Sequence, residues 1–567
     1  MNAISLKVNT QKLMLDLRHA FTNRSTTVLR ELMQNARRAG ATRVEFNSEA
    51  DSLTVTDDGC GIADMSTLLS VSDSGWDMET VEREHPYGLG FLSALYAAEE
   101  IEVRSGKVGF KAKTRDILAF KPILIDSYSQ SVAGASITLK GISKSVQELT
   151  QDITLDKAKH GFNVESLLKD ARGFSIPVFC NGKAIERGDA QEAPGTNYVR
   201  CDAGWLQMTD HFGHRPVCYY QGLPVQEPYR IGYGTHRCVI HLDTNQFVAR
   251  LPDRDTLVDA EAAGEKIEAA VRKTWGEHLA QEKQRLSARD FVAKHWGNCI
   301  GSGHRHLLND VDCVPRELFS SVNPPQTATE YENKRFLDYP GIKEEYLTCE
   351  DIGRLGLKLV LLDDVVQDDC VGLEDEGFDT RTACMFAHLK GMTYVSTSDL
   401  DSQHWLFGVI NDFTSKEWNI ELVEEAENTE WNGNWTSGLV KFCKSYRIID
   451  VVTGESVETE TEALNSDSTA LGTTRTVILY PSKCLSSDVL MQISNFCSDG
   501  NYEEHEEAQE CTEFYRFVCL ERADEPERVI KDILNDGLID RMSVLKGRSF
   551  MLAVDSQGSI DVKEIKS

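Results

Sequence analysis

Polar and apolar residues alternate most clearly over Arg43-Val-Glu-Phe46 and Ser52-Leu-Thr-Val-Thr-Asp57, the period expected of paired, half-buried strands. Upstream, Ile4 to Val8 reads as a short strand and Leu13 to Phe21 as an apolar helical segment. Thr26 to Ala39 reads as a second helix, with Ser25 as its N-cap and Gly40 at a left-handed C-terminal cap. Downstream, a polar, irregular segment from Ser66 to Pro86 precedes a helix at Phe91 to Glu99. Strands follow at Ile101 to Ser105, Val108 to Thr114 and Ser136 to Lys140. A helical linker around Asn163 to Ala171 leads to a hairpin turning at Asn181-Gly182, to strands at Val217 to Tyr220 and Arg237 to Leu242, and to a long helix over Ala260 to Lys294. Past Trp296 the pattern weakens. Ser320 to Thr327 reads as a loop around Pro324-Pro325, Leu357 to Leu362 as a buried strand, and Ser549 to Val554 with Ser559 to Val562 as a final hairpin.

Helices and strands thus mix without a repeat, and the expected fold class is α+β. At 567 residues the chain exceeds a single core. Its expected division is 1–160, 161–297 and 298–567, the last containing one or two subdomains. The formal net charge of -30 opposes adhesion to nucleic acid or to an anionic membrane over the whole surface. The basic run Arg104, Lys107, Lys111, Lys113, Arg115 and Lys121 reads as a solvated hairpin. The opening residues lack a signal-peptide pattern, and no apolar run reaches the roughly 20 residues that span a bilayer. Fifteen cysteines without a Cys-x-x-Cys pair suggest reduced thiols and a cytoplasmic protein. Cys299, His304 and His306 lack a fourth zinc ligand at useful spacing, and Asp399-Leu-Asp401 reads as a turn.

Three short patterns carry candidate chemistry. Glu31 and Asn35 are four apart and share a helix face, where a carboxylate could take a proton from water and an amide oxygen could ligate magnesium; a solvated face has the same spacing. Asp57, at a strand end before Gly59 and Gly61, offers an acceptor for an exocyclic amine beside unobstructed backbone, or simply a type I′ turn. Gly88, Leu89, Gly90 and Phe91 lead into a helix whose amides could face an anion, or form a turn; no Lys-Ser/Thr follows, so this is no Walker loop.

In combination, Glu31-Leu-Met-Gln-Asn35-Ala-Arg-Arg-Ala-Gly-Ala, Asp57-Asp-Gly-Cys-Gly-Ile and Pro86-Tyr-Gly-Leu-Gly-Phe-Leu-Ser-Ala-Leu resemble the motifs of the GHKL superfamily: gyrase B, the ninety-kilodalton heat-shock chaperones, histidine kinases and MutL. The resemblance is closest to the heat-shock and MutL branch. It implies a Bergerat-type sandwich, a mixed sheet with helices on one face, holding ATP and Mg2+. It implies Glu31 as general base and Asn35 as magnesium ligand. Asp57, Gly59 and Gly61 would take adenine, Gly88, Leu89, Gly90 and Phe91 the phosphates through backbone, and Ser66 to Pro86 would be the lid. Asn181-Gly-Lys resembles the family's transducer hairpin, and Leu251-Pro-Asp-Arg254 resembles the chaperone loop whose arginine reaches the γ-phosphate. Two positions depart: Arg38 stands where an Asp is usual, and Ala135 follows Gly134 where a Thr is usual.

The expectation is a GHKL-type ATPase whose ATP-driven lid closure and homodimerisation serve a chaperone-like or defence-type role, with a protein client recognised by the C-terminal region. A MutL- or topoisomerase-like DNA machine, disfavoured by the acidic charge, and a nucleotide-sensing scaffold without turnover are the alternatives.

Overall fold

The computed structural model of the protein describes residues 12, 26–70, 76, 90–142, 167–213, 216–225, 238–250, 254–324, 341–362, 380–426, 428–434, 436–466, 476–484, 489–490, 504–522, 530, 547–556 and 559–565. The strand at Ile4 to Val8, the helix at Leu13 to Phe21, the Ser25 cap, most of the lid, Gly88 and Leu89 lie outside them. The fold is α+β. The chain forms two units, Met1–Ser287 with Lys294–Leu307, and Ala288–Ala293 with Leu308–Ser567. Among the described residues no helix is long and apolar enough to cross a membrane.

In the first unit, α1 (Thr26–Arg38) buries Val28, Leu29, Leu32, Met33 and Ala36. Gly40, at φ +69, ends it in a Schellman motif: the Gly40 amide donates to Arg37 O and the Ala41 amide to Ala36 O. Then come β1 (Val44–Ser48), β2 (Ser52–Asp57), α2 (Gly90–Ala97), β3 (Glu100–Lys113), α3 (Thr114–Leu118), β4 (Asp126–Lys140), α4 (Leu167–Ala171), β5 (Val178–Cys180) and β6 (Lys183–Ala184). The six strands make one mixed sheet in the order β3-β4-β2-β1-β5-β6, with β1 and β5 parallel. Cys180, Phe46, Val55, Ile137 and Val103 stand in register across five of them and are buried in one core with α1, α2 and α4. Arg30 clamps α1 to α4 by donating twice to the buried Asp170 Oδ1, at 3.0 and 2.8 Å.

Three details differ from the pattern reading. The two strands read at Ile101 and Val108 are one strand, β3, because irregular pairing at Gly106 (φ +56) lets the chain continue past a break in alternation. The Asn181-Gly182 hairpin, with both turn residues at positive φ, joins the first sheet through β1 and does not open a second one. The long helix is two: α5 (Ala260–Arg285) and α6 (Ala288–Gly301), separated at Leu286, whose backbone is extended.

The second sheet of this unit contains β7 (Tyr198–Cys201), β8 (Gly204–Gln207), β9 (Pro216–Tyr220), β10 (Leu223–Val225) and β11 (Cys238–Leu242), in the order β10-β9-β11-β8-β7. In the second unit, a four-stranded sheet (Phe319–Ser321, Thr393–Val395, Leu359–Leu361, Asn411–Asp412), a three-stranded one (Trp418–Val423, Ser445–Asp450, Ser456–Thr459) and the helix Thr380–Leu389 contribute to one core. A further four-stranded sheet (Asn428–Asn432, Ser437–Cys443, Val477–Pro481, Leu464–Ser466) packs Trp431 and Tyr480 against Phe514 of the helix Glu504–Arg522. The terminal hairpin pairs Ser549–Val554 with Ile560–Ile565.

Candidate functional site

One stripe of α1 organises the site. Glu31, Asn35 and Ala39 succeed each other at four-residue steps, about 12 Å from first to last at the helical rise. Glu31 is buried at 6 % exposure, Asn35 is half-buried, and Ala39 O accepts from the Cys60 amide at 2.9 Å.

At the Ala39 end lies the loop after β2. Leu53 and Val55 face the core, and strand alternation puts Asp57 on that same face, where it is half-buried at the sheet's end. Burial pushes the Asp57 carboxyl up, against the backbone amides of Gly59, 2.9 Å from Oδ1, and of Ala135, which hold it down. Glycine walls this notch for a steric reason. A Cβ on Gly134 (φ +59) would overlap Asp57, one on Gly59 would press on Ala39, and one on Gly61 (φ +75) would collide with Ser105 Oγ. Ser105, on β3 opposite Ala135, donates to Gly134 O at 2.9 Å and accepts from the Ile62 amide at 2.8 Å, so it ties the loop to β4. Asp58 accepts from the Thr42 and Arg43 amides and from the Thr42 hydroxyl, which foremost lowers its pKa.

At the other end, Glu31 meets two groups. Gly90, the first residue of α2, lies so near that a Cβ there would overlap the Glu31 carboxylate. Arg254 approaches from the second sheet's side of the unit, with Nε 3.5 Å from Glu31 Oε1; the two side chains are 9 % and 8 % exposed. That distance makes an ion pair without a well-formed hydrogen bond. The Arg254 Nη1 donates to Gln221 Oε1 at 3.3 Å, and Gln221 O accepts from the buried Gln34 Nε2 at 2.9 Å. Sequence spacing could not bring Arg254 to Glu31, and Gln221 was missed altogether. Its only signal is a Gln-Gly pair between two strand patterns. Gly90→Ala is expected to cost about 1–3 kcal/mol in chemical denaturation, the usual penalty of inserting a methyl where there is no room.

Phe91 is buried in the core, leaving only its backbone to face a ligand. Asn35 Oδ1 accepts from Arg38 Nη1 at 3.4 Å, so the departing arginine competes for the oxygen a magnesium ion would need. Ala135 is buried, and Ser136 sits across from Thr56 and Arg104 on the opposite face. A cavity of about 300 Å³ opens beside Gln221 and Arg37, but Glu31, Asn35, Asp57 and Gly90 do not line it.

A second cluster was not read from the sequence. His278 and Glu282, one turn apart on α5, and His295 on α6 bring ligand-type atoms within 4.8 Å of one another. Its charges argue for an ion-pair network. Arg285 donates twice to Glu282, at 2.9 and 2.7 Å, and Lys294 once at 3.3 Å; chiefly through Arg285, Glu282 is pushed down to about 2. The Asn298 amide, oriented by the Phe212 amide and Asp210 O, places its Nδ2 3.2 Å from His295 Nδ1, which directs the ring proton to Nε2, toward Glu282. A metal would meet two cations and a protonated nitrogen. Because the folded pKa is depressed, this stabilisation is full above the ordinary value of 4.5 and is lost as pH falls through about 2. Glu282→Gln should therefore melt below the wild type at pH 7, and the difference should vanish on acidification toward pH 2, followed by circular dichroism.

No protein-family model matches the chain, and no curated protein matches it.

Proposed function

We propose that the first unit is a GHKL-type site that binds ATP and hydrolyses it, driving a conformational change read by the rest of the chain. The observation that carries this reading is the buried Glu31 carboxylate, held between the Cα of Gly90 and the Arg254 guanidinium. A buried ion pair of this kind contributes little to stability because desolvation offsets its attraction, so its placement favours a chemical role. At the other end of the same helical stripe, the desolvated Asp57 in its glycine-walled notch suits the 6-amino group of adenine, where guanine in the same pose presents a carbonyl oxygen. Phosphate-facing amides come from the start of α2.

In this reading Glu31 accepts the proton of the attacking water, and Arg254 offsets the negative charge that develops. For Glu31 to act as a base, Arg254 must loosen its hold, which couples chemistry to the position of the segment carrying Arg254. Asn35 would hold magnesium once Arg38 releases its oxygen; the metal would neutralise phosphate charge. The same ion pair also suits a sensor that binds ATP without turnover. Phosphate release from ATP by the full chain, in magnesium and in chelator, decides. Magnesium-dependent release above buffer supports hydrolysis, ATP binding without release selects the sensor, and neither binding nor release overturns the proposal.

A further inference from the structure

We infer that Gln221 is a positioning residue that holds Arg254 in register with Glu31; this rests on the proposed ATPase reading. The starting point is backbone strain. Gln221 (φ +52) and Arg254 (φ +51) are both non-glycine residues in the left-handed region, and their side chains are hydrogen-bonded to each other. Gln221 and Gly222 (φ +80) form the two-residue turn between β9 and β10, whose positive dihedrals favour Asn, Asp or Gly at the first position. A Gln there gives the turn no advantage, since Asn supplies the same amide with less strain. What Gln adds is one methylene of reach, and that reach ends on Arg254.

Gln221 also faces the helix that carries Glu31. Its main-chain oxygen accepts from Gln34, 1 % exposed and three residues after Glu31; Gln34 Oε1 in turn accepts from Arg37 Nε at 3.0 Å. One residue therefore fixes the β9–β10 turn to α1 through its backbone and Arg254 to that turn through its side chain. An amide is the right acceptor for this task. It orients the guanidinium without neutralising it, leaving the positive charge for Glu31 and for an anionic substrate.

Four variants test the inference: Gln221→Gly, Gln221→Asn, Arg254→Ala and the Gln221→Gly/Arg254→Ala double. Glycine relaxes the left-handed backbone and keeps the bond to Gln34, so Gln221→Gly should melt no lower than the wild type while kcat for ATP falls about 10-fold and KM changes less than about threefold, the loss of one charge-assisted hydrogen bond at the reacting end. Gln221→Asn, which keeps the amide and suits the turn but lacks the extra methylene, should lose about as much kcat as Gln221→Gly, and the double variant should be no slower than Arg254→Ala. Wild-type kcat in Gln221→Gly, or multiplying effects in the double variant, overturns the inference. Should the wild type release no phosphate, the ATPase reading falls separately. The same cycle followed by melting midpoint then decides: non-additive shifts retain Gln221 as the residue that places Arg254, and additive shifts remove it.

Discussion

Glu31→Ala is expected to lower ATP turnover by about 10²–10⁴-fold, the range associated with losing a positioned general base, while ATP affinity stays within a few-fold of wild type. The split follows from where Glu31 sits. Its carboxylate faces Gly90 and Arg254, at the end of the α1 stripe away from the Asp57 loop, and nothing in the Asp57 notch depends on it. Removing it also frees Arg254, whose charge then favours an anionic ligand, so binding should not weaken. Rapid-quench phosphate release and equilibrium nucleotide binding on the same preparation separate the two quantities. A parallel fall in affinity and turnover would place Glu31 in binding and remove its role as base.

Asp57→Asn is expected to weaken ATP binding by roughly 100-fold, about 3 kcal/mol, because the substitution presents a donor where the exocyclic amine needs an acceptor. The fold should survive. Asn is isosteric, and its own oxygen can accept from the Gly59 amide as Asp57 Oδ1 does. Its melting temperature should equal or exceed that of the wild type, since burial raises the carboxyl's pKa and the folded state disfavours the charge. Calorimetric titration with ATP, beside a thermal melt, checks both halves; unchanged affinity in a well-folded variant would reassign the notch as an ordinary turn.

Much of the first unit could be read directly because its signals are local. The α1 helix and its Gly40 cap, the alternation of β1 and β2, and the Asp-Gly loop at a strand end all depend on residues within a few positions of one another. What could not be read is set by pairing at long range. Periodicity marks Val178 to Cys180 as a strand but does not say that it runs parallel to β1. Nor can spacing show that Arg254 reaches back to Glu31, that Ser105 ties the loop to β4, or that two helices gather cations around Glu282. The second unit resisted for a related reason: several of its strands are only two or three residues long, too brief to establish a period.

Arg38 and Ala135, the two departures, now have physical surroundings. Arg38 reaches Asn35 Oδ1 from one helical turn away, and Ala135 lies on the core face opposite Ser105. The notch at Asp57 thus keeps its carboxylate and its glycine walls, while the candidate magnesium ligand carries a cationic neighbour that the motif does not usually bring.

The central claim, an adenine-nucleotide site at Asp57, is tested most directly by equilibrium binding of ATP to the wild-type protein with GTP as competitor. Saturable ATP binding is expected, which GTP displaces at least about 10-fold less well than ATP does, since guanine presents a carbonyl oxygen where adenine presents its 6-amino group. No ATP binding, or equal displacement by the two nucleotides, would contradict it.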